Sequence, residues 1–346
     1  MKYLCSCIVC LFLVLTMPFC ESSPPAARPY VIAIHCEVDS DESGLRLLDE
    51  IPKLAKKGIN TLILEVGYNF QWVSHPELAP EGALTRETAQ KIAASCKKAN
   101  IAPIPEINCI GHQSWEGYTG ILLAEHPEFD ETPGQYPGNT GIYCRSWCTS
   151  NEALYPLVFD LIDELTSAFG ATAFHVGMDE IFLIGEDACP RCRGKDRGLL
   201  LANAINAFYR HIVIKNKMTM YLWGDRLIDG NAESTNYGSD YEASTNGTHS
   251  AVNLIPKDII ICDWHYDSRE TYGSLPYFLD KGFRVIPASY NNVGAARDLA
   301  EYSLTFAGNP AMLGHLYTTW CDVGNDKLGS WKPMVRTIRL FRQEKL

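Results

Sequence analysis

Residues 154–180 read LYPLVFDLIDELTSAFGATAFHVGMDE, and the spacing of apolar residues changes part-way along. Leu154, Leu157, Val158, Leu161, Ile162 and Leu165 recur at helical intervals with Asp160, Asp163 and Glu164 opposite, which predicts an amphipathic helix capped by Ser150 or Asn151. The run Ala171 to Val176 is short and apolar, a predicted strand leading straight into Asp179 and Glu180. Working outward, the same alternation recurs along the chain. Further strands are predicted at Val31 to Cys36, Asn60 to Val66, Ile101 to Ile107, Met218 to Trp223, Asp258 to Asp263, Phe283 to Ala288 and Ala311 to Thr319. Helices are predicted at 43–57, 85–99, 198–215, 270–281, 294–306 and 331–344. Eight strands with intervening helices predict an α/β fold, a single-domain (β/α)8 TIM barrel over residues 30–346, with functional groups at the C-terminal ends of the strands. An open doubly wound sheet would call for a Gly-x-Gly-x-x-Gly turn after the first strand, and the sequence has none there. The longest irregular insertion, 229–257, contains the sequon Asn246-Gly247-Thr248, relevant only in a glycosylating host.

The chain has 346 residues, 46% hydrophobic and 21% charged, enough for one large domain with a buried core. Its formal net charge of −11 and the lack of any Lys/Arg-rich run give a nucleic-acid partner no electrostatic support. Residues 1–20 read as an export signal, with Lys2 followed by an apolar run, and 21–29 as a Pro/Ser/Ala tether. Localisation is therefore expected to be secreted, periplasmic or cell-surface, with Cys20 at the junction where a lipid anchor would attach. No later stretch reaches the length of a transmembrane helix.

Nine of the thirteen cysteines follow the signal region. Two pairs are closely spaced, Cys144 with Cys148 and Cys189 with Cys192. Disulfides, free thiols and a four-thiolate structural zinc site all remain open for them, in no case as part of the chemistry. No organic cofactor is implied.

The chemistry-bearing stretch is His175-Val176-Gly177-Met178-Asp179-Glu180, two carboxyls at a predicted strand end. An arbitrary Asp-Glu pair is usually a solvated loop start. On a barrel rim, two close carboxyls instead push one pKa up, which suits a general acid for glycosidic bond cleavage. This stretch resembles the His-x-Gly-Gly-Asp-Glu signature of the glycoside hydrolase family 20 β-N-acetylhexosaminidases, with Met178 in place of a glycine. Pro105-Glu106-Ile107-Asn108-Cys109-Ile110-Gly111-His112 is similar to that family's Pro-Glu-Ile-Asp-x-Pro-Gly-His. Trp223-Gly224-Asp225, Asp263-Trp264, Tyr290 and Trp320-Cys321-Asp322 resemble its later strand-end motifs, in order.

The resemblance implies a retaining mechanism in which the substrate's own acetamido oxygen attacks the anomeric carbon. Glu180 would be the acid and then the base, and Asp179 would orient the acetamido group. Tyr290 would bind the acetamido carbonyl, and Trp223, Trp264 and Trp320 would wall the sugar. His112 and His175 would support the carboxylates, while Asp225 and Asp322 would bind sugar hydroxyls or form salt bridges. The partner implied is a glycan or glycoconjugate carrying N-acetylhexosamine.

Two features depart from the family pattern. The first strand, Val31-Ile32-Ala33-Ile34-His35-Cys36-Glu37, lacks the arginine that grips the sugar hydroxyls, leaving His35, Glu37 or Arg145 as replacements and Glu65 as a further pocket residue. The small α/β domain that often precedes this barrel has no counterpart between the tether and the first strand. A barrel that only binds glycans is the alternative reading. A metal-dependent hydrolase is a third, but no His-x-His or Glu-x-x-His spacing supports it.

Overall fold

The computed structural model describes residues 30–235, 237, 241–320 and 324–342. The stretches read as an export signal and a tether, Cys20 between them, and Asp322 lie outside the described residues. Eight parallel strands close into a barrel: β1 (Val31–Glu37), β2 (Thr61–Glu65), β3 (Ala102–Cys109), β4 (Ala173–Gly177), β5 (Thr219–Trp223), β6 (Ile260–Trp264), β7 (Arg284–Ser289) and β8 (Gly314–Tyr317). Each pairs with its sequence neighbours, and β1 pairs with β8 to shut the ring. The TIM-barrel expectation is met, and every predicted strand overlaps an observed one.

The main helices around the barrel, apart from the short helix Ile121–Glu125 in the β3–β4 connection, are α1 (Asp41–Lys57), α2 (Arg86–Ala99), α3 (Leu154–Phe169), α4 (Arg197–Tyr209), α5 (Ser274–Asp280), α6 (Val293–Leu304) and, after the last strand, α7 (Lys332–Thr337). Helix α1 begins in a capping box, where Ser40 accepts from the Ser43 N–H, and ends on Gly58 at φ 98°. Helix α3 starts later than its expected caps. Its N-cap is Ala153, and Asn151 instead accepts from the Ala153 N–H at 3.3 Å in the preceding turn. Helix α4 is shorter than predicted because the chain widens into a π-helical turn at Arg210–Lys215. No helix among the described residues is long and apolar enough to cross a membrane.

Period-two alternation divides each strand between two cores. Ile32, Ile34, Leu62, Leu64, Phe174 and Val176 point outward, into the layer that packs against the helices. Ala33, Ile63, Ile104, Tyr221, Ile260, Ile286 and Leu316 point inward and fill the barrel. Toward the C-terminal ends the inward positions change character: His35 and Glu37 on β1, Glu65 on β2, Glu106 and Asn108 on β3, His175 on β4, Trp223 on β5 and Trp264 on β6. Strand pairing sets Glu37 beside Glu65, Glu65 beside Glu106, and Glu106 beside His175. Apolar filling gives way to a polar floor at one end only, and that end carries the site.

The β5–β6 connection holds the irregular insertion expected at 229–257. The sequon residue within it is already engaged: the Asn246 amide donates to the carbonyls of Ile181 (2.9 Å) and Phe182 (3.1 Å). The insertion thereby braces the turn that follows Glu180.

Candidate active site

Asp179 and Glu180 leave β4 on a turn that few residues can adopt. Gly177, Met178 and Glu180 have φ of 64°, 70° and 49°, the left-handed region in which L side chains are strained. Gly177 is required twice over, because a Cβ there would stand 2.7 Å from the Asn108 Cα and 2.4 Å from its Oδ1. Gly177→Ala is expected to lower stability by about 1–3 kcal/mol and to displace the carboxyls, so activity per folded molecule should fall as well. Denaturant melts run beside rate measurements check both effects.

The neighbouring turn, 108–113, is the other half of the site. Ile110 and His112 have φ of 70° and 57°. A proline cannot adopt that φ, so the loop takes a path here that the Pro-Gly-His of the resembled motif could not take at Ile110. Gln113 holds the turn closed, donating to the carbonyls of Asn108 (2.9 Å) and Gly111 (2.7 Å) and accepting from the Tyr68 hydroxyl (2.8 Å).

His112 Nε2 lies 3.5 Å from Asp179 Oδ2 and 3.2 Å from Glu180 Oε2, bringing both carboxyls onto one imidazole. Burial opposes a charge on His112, but Asp179 and Glu180 outweigh it and raise its pKa well above the ordinary 6.5. Burial likewise pushes Asp179 up, and His112 outweighs it and holds the carboxyl below its usual range. The sequence suggested mutual repulsion between the two acids as the dominant effect. A histidine between them sets Asp179 instead. One ligand-type atom each of His112, Asp179 and Glu180 lies within 4.8 Å of the others. Asp179 Oδ1 is buried and has no hydrogen-bond partner within the protein.

Asp225 lies beneath this pair. Its Oδ2 accepts from the Glu180 N–H (2.9 Å) and Arg226 Nε (2.7 Å), and its Oδ1 from the Trp264 indole (3.3 Å). Of the two roles the sequence left for it, hydroxyl ligand or salt bridge, the second is the one present. Burial, opposed by Arg226, moves its pKa up to about 6. Trp223 and His175 are also fully buried, below the cleft rather than in its wall. The Trp223 indole donates to Glu106 Oε1 at 3.0 Å, and His175 Nδ1 lies 2.9 Å from the same oxygen. Trp320 does line the cleft, with φ 44°, and its indole donates to the Tyr266 hydroxyl at 3.0 Å. The Tyr290 ring packs 5.1 Å from that of Tyr266.

The cleft above these groups has a volume of about 440 Å³, with Asp179, His112, Trp320, Glu37, Glu65 and Tyr143 among its walls. Of the three candidates to replace the missing arginine, only Glu37 reaches it. His35 is fully buried under the floor. Arg145 is pinned inside its own loop by Asp130 (2.7 Å), Thr132 Oγ1 (3.0 Å) and the Tyr136 carbonyl (2.7 Å). Glu65 faces the cleft as expected, and partial desolvation inside the cleft together with the Glu65 carboxylate pushes Glu37, whose side chain is still solvent-exposed, up to about 7.

Glu106, Asn108, Tyr143 and Tyr266 belong to the site without having been assigned roles from the sequence. A lone carboxylate within the apolar run of β3 was a readable signal for Glu106. Tyr143 lies on an irregular loop whose residue pattern carries no such signal.

The eight described cysteines are all buried, and none is bonded to another. Cys144 does not join the other three of its expected group. Its Sγ lies 3.6 Å from the Glu180 carbonyl, under the active-site turn. The ligand-type atoms that lie within 4.8 Å of one another are those of Cys148, Cys189, Cys192 and Glu131, without Cys144.

A family model described as "Glycosyl hydrolase family 20, catalytic domain" matches residues 33–322. A β-hexosaminidase of Porphyromonas gingivalis is 26% identical over 161 residues, 44% of this chain and 20% of that protein. Among solved structures, a Flavobacterium johnsoniae chitobiase superposes with a TM-score of 0.60 at 18% identity, over 90% of this chain and 50% of its own. A Bacteroides fragilis β-N-acetylhexosaminidase gives 0.59 at 14% identity, over 91% of this chain and 65% of that one. The chain thus spans a fifth of the curated relative it matches, and half and about two thirds of the two solved ones. The family match and the closed barrel agree, and the chain belongs to glycosyl hydrolase family 20.

Proposed function

We propose that this chain hydrolyses β-linked N-acetylhexosaminides by a retaining, substrate-assisted route. The observation that carries the reading is the unpartnered, buried Oδ1 of an Asp179 carboxyl held low in pKa, in the cleft wall beside Glu180. A fixed carboxylate oxygen without a donor suits the N–H of a 2-acetamido group and the positive charge that develops on it. The acetamido oxygen attacks the anomeric carbon while the Glu180 carboxyl donates its proton to the departing glycosidic oxygen. An oxazolinium ion and a Glu180 carboxylate result. Glu180 then takes a proton from water as that water attacks the anomeric carbon, which opens the ring and restores the acetamido group with retained configuration.

Glu37 and Glu65 offer acceptors to sugar hydroxyls where the resembled family offers an arginine. Recognition on that side is therefore of donors rather than acceptors. The charged-then-apolar residues 1–20 support a place of action outside the cytoplasm.

The test compares an aryl N-acetyl-β-glucosaminide and its galacto epimer with the matching aryl β-glucoside, which lacks the acetamido group. Turnover of an acetamido substrate at least about a hundredfold faster than the glucoside, with the β-anomer of the sugar formed first, is expected. Comparable rates on all three would overturn the substrate-assisted route. Tight binding of N-acetylglucosamine without any turnover would favour the binding-only barrel.

A further inference from the structure

Away from the catalytic pair, Cys148, Cys189, Cys192 and Glu131 converge, all four buried, with one ligand-type atom of each within 4.8 Å of the others. Cys148 Sγ lies 3.5 Å from Cys192 Sγ and 3.3 Å from Cys189 Sγ. We propose that these four residues form a structural zinc site of the Cys3Glu type, fastening the β3–α3 connection to the β4–α4 connection. This reading is independent of the glycosidase reaction.

Three points support a metal over a disulfide. The sulfur separations lie slightly inside the roughly 3.8 Å edge of a tetrahedron built on 2.3 Å zinc–sulfur bonds, as a cluster closed around one point requires. A disulfide would use two of the three sulfurs and leave the third, with a carboxylate, sealed in an apolar wall. The fourth vertex is that carboxylate: Glu131 Oε1 accepts from the Glu186 N–H at 3.0 Å, while Oε2 is buried and has no protein partner. A buried, half-satisfied carboxylate among three thiols is costly unless a cation completes it. Backbone turns aim the ligands, with the Glu186 carbonyl accepting from Cys189 N–H and the Phe129 carbonyl from Cys148 N–H.

Binding would release the thiol protons to solvent as three thiolates and the carboxylate enclose the ion. The consequence reaches the active site through the chain, because the β4–α4 connection that holds Cys189 and Cys192 begins with Asp179 and Glu180. Glu131 and Cys148 anchor it to the connection that also carries His112.

The test starts with the full chain purified without metal-affinity media. Elemental analysis is expected to give one zinc per chain, and unfolding in chelator without reductant should leave Cys148, Cys189 and Cys192 all open to alkylation. Cobalt exchanged into the site should show the intense thiolate-to-metal absorption of a tetrahedral sulfur-rich centre. Cys189→Ser and Glu131→Gln are expected to lower zinc content, while Cys144→Ser, outside the cluster, should keep it. A zinc-free chain with any two of the three cysteines joined in a disulfide would overturn the proposal. So would free thiols that take up neither zinc nor cobalt, or loss of zinc in Cys144→Ser with retention in Cys189→Ser. Because metal content is read first on the unaltered chain, the result stands even if a variant fails to fold.

Discussion

Glu180→Gln is expected to lower kcat toward an N-acetylglucosaminide by about a thousandfold, within the range that a positioned acid/base contributes, with KM changed only a few-fold. The amide keeps the size of the side chain, and the backbone N–H that Asp225 holds at 2.9 Å is untouched, so the turn should survive. What is lost is the proton delivered to the leaving oxygen and then withdrawn from water. The deficit should therefore depend on the leaving group. A nitrophenol departs without much help, whereas a second sugar needs the proton, so the loss should be larger on a disaccharide than on the aryl glycoside. Azide, which attacks without a general base, should restore part of the aryl turnover as a glycosyl azide of retained configuration. Asp179→Asn should also lower kcat on both substrates, but without the leaving-group dependence and without azide rescue, because the role proposed for Asp179 is on the acetamido group. Ordinary activity in Glu180→Gln would remove the catalytic assignment.

The second large effect is expected under the floor of the cleft. Glu106 is fully buried between His35, whose Nε2 is 3.3 Å from its Oε2, and His175 and Trp223 on its other oxygen. Burial opposes its charge, but His175 and His35 outweigh burial and bring Glu106 down to about 2. Burial also opposes a charge on His35, and Glu106 and Glu65 outweigh it, raising His35 to about 10. Each partner thus favours the charged form of the other, in a place where neither charge tolerates being alone. Glu106→Gln leaves His35 with only Glu65 as a counter-charge and should cost about 3–5 kcal/mol of stability, seen as a lower denaturant midpoint.

The pH dependence follows with a definite sign. Glu106, lowered on folding, stabilises above about 4.5, and that contribution is lost as pH falls toward about 2. His35, raised on folding, stabilises fully below 6.5, and its contribution is lost as pH rises toward about 10. Glu106→Gln should flatten both limbs, since it removes one group and weakens the shift of the other. A variant with wild-type stability and an unchanged pH profile would show that the buried pair carries no such weight.

Much of this protein was legible before any coordinates. Strand and helix positions followed from apolar spacing, because a strand that fills a barrel inside and meets helices outside must be apolar on both faces. Asp179 and Glu180 were legible because they directly follow such a run. Arg145 was misjudged for a physical reason: a guanidinium near the rim can serve substrate or loop, and only the positions of Asp130, Thr132 and the Tyr136 carbonyl show that its donors are used up. Asp225 raised the same question, and the backbone N–H of Glu180 and the Arg226 guanidinium answered it.

The sequence by itself determined the barrel and the end at which the candidate site lies, and it singled out the two carboxyls proposed for catalysis, since each reading depends on local periodicity and on residues adjacent in the chain. Tertiary structure alone decided which groups meet across strands. It placed His112 between the two acids, although more than sixty positions separate them in the chain. It aligned Glu37, Glu65, Glu106 and His175 on four neighbouring strands, and it set Glu131 with three cysteines while excluding Cys144. Strand register and loop path fix those meetings, and both are set by the closure of the whole barrel rather than by any segment of the chain.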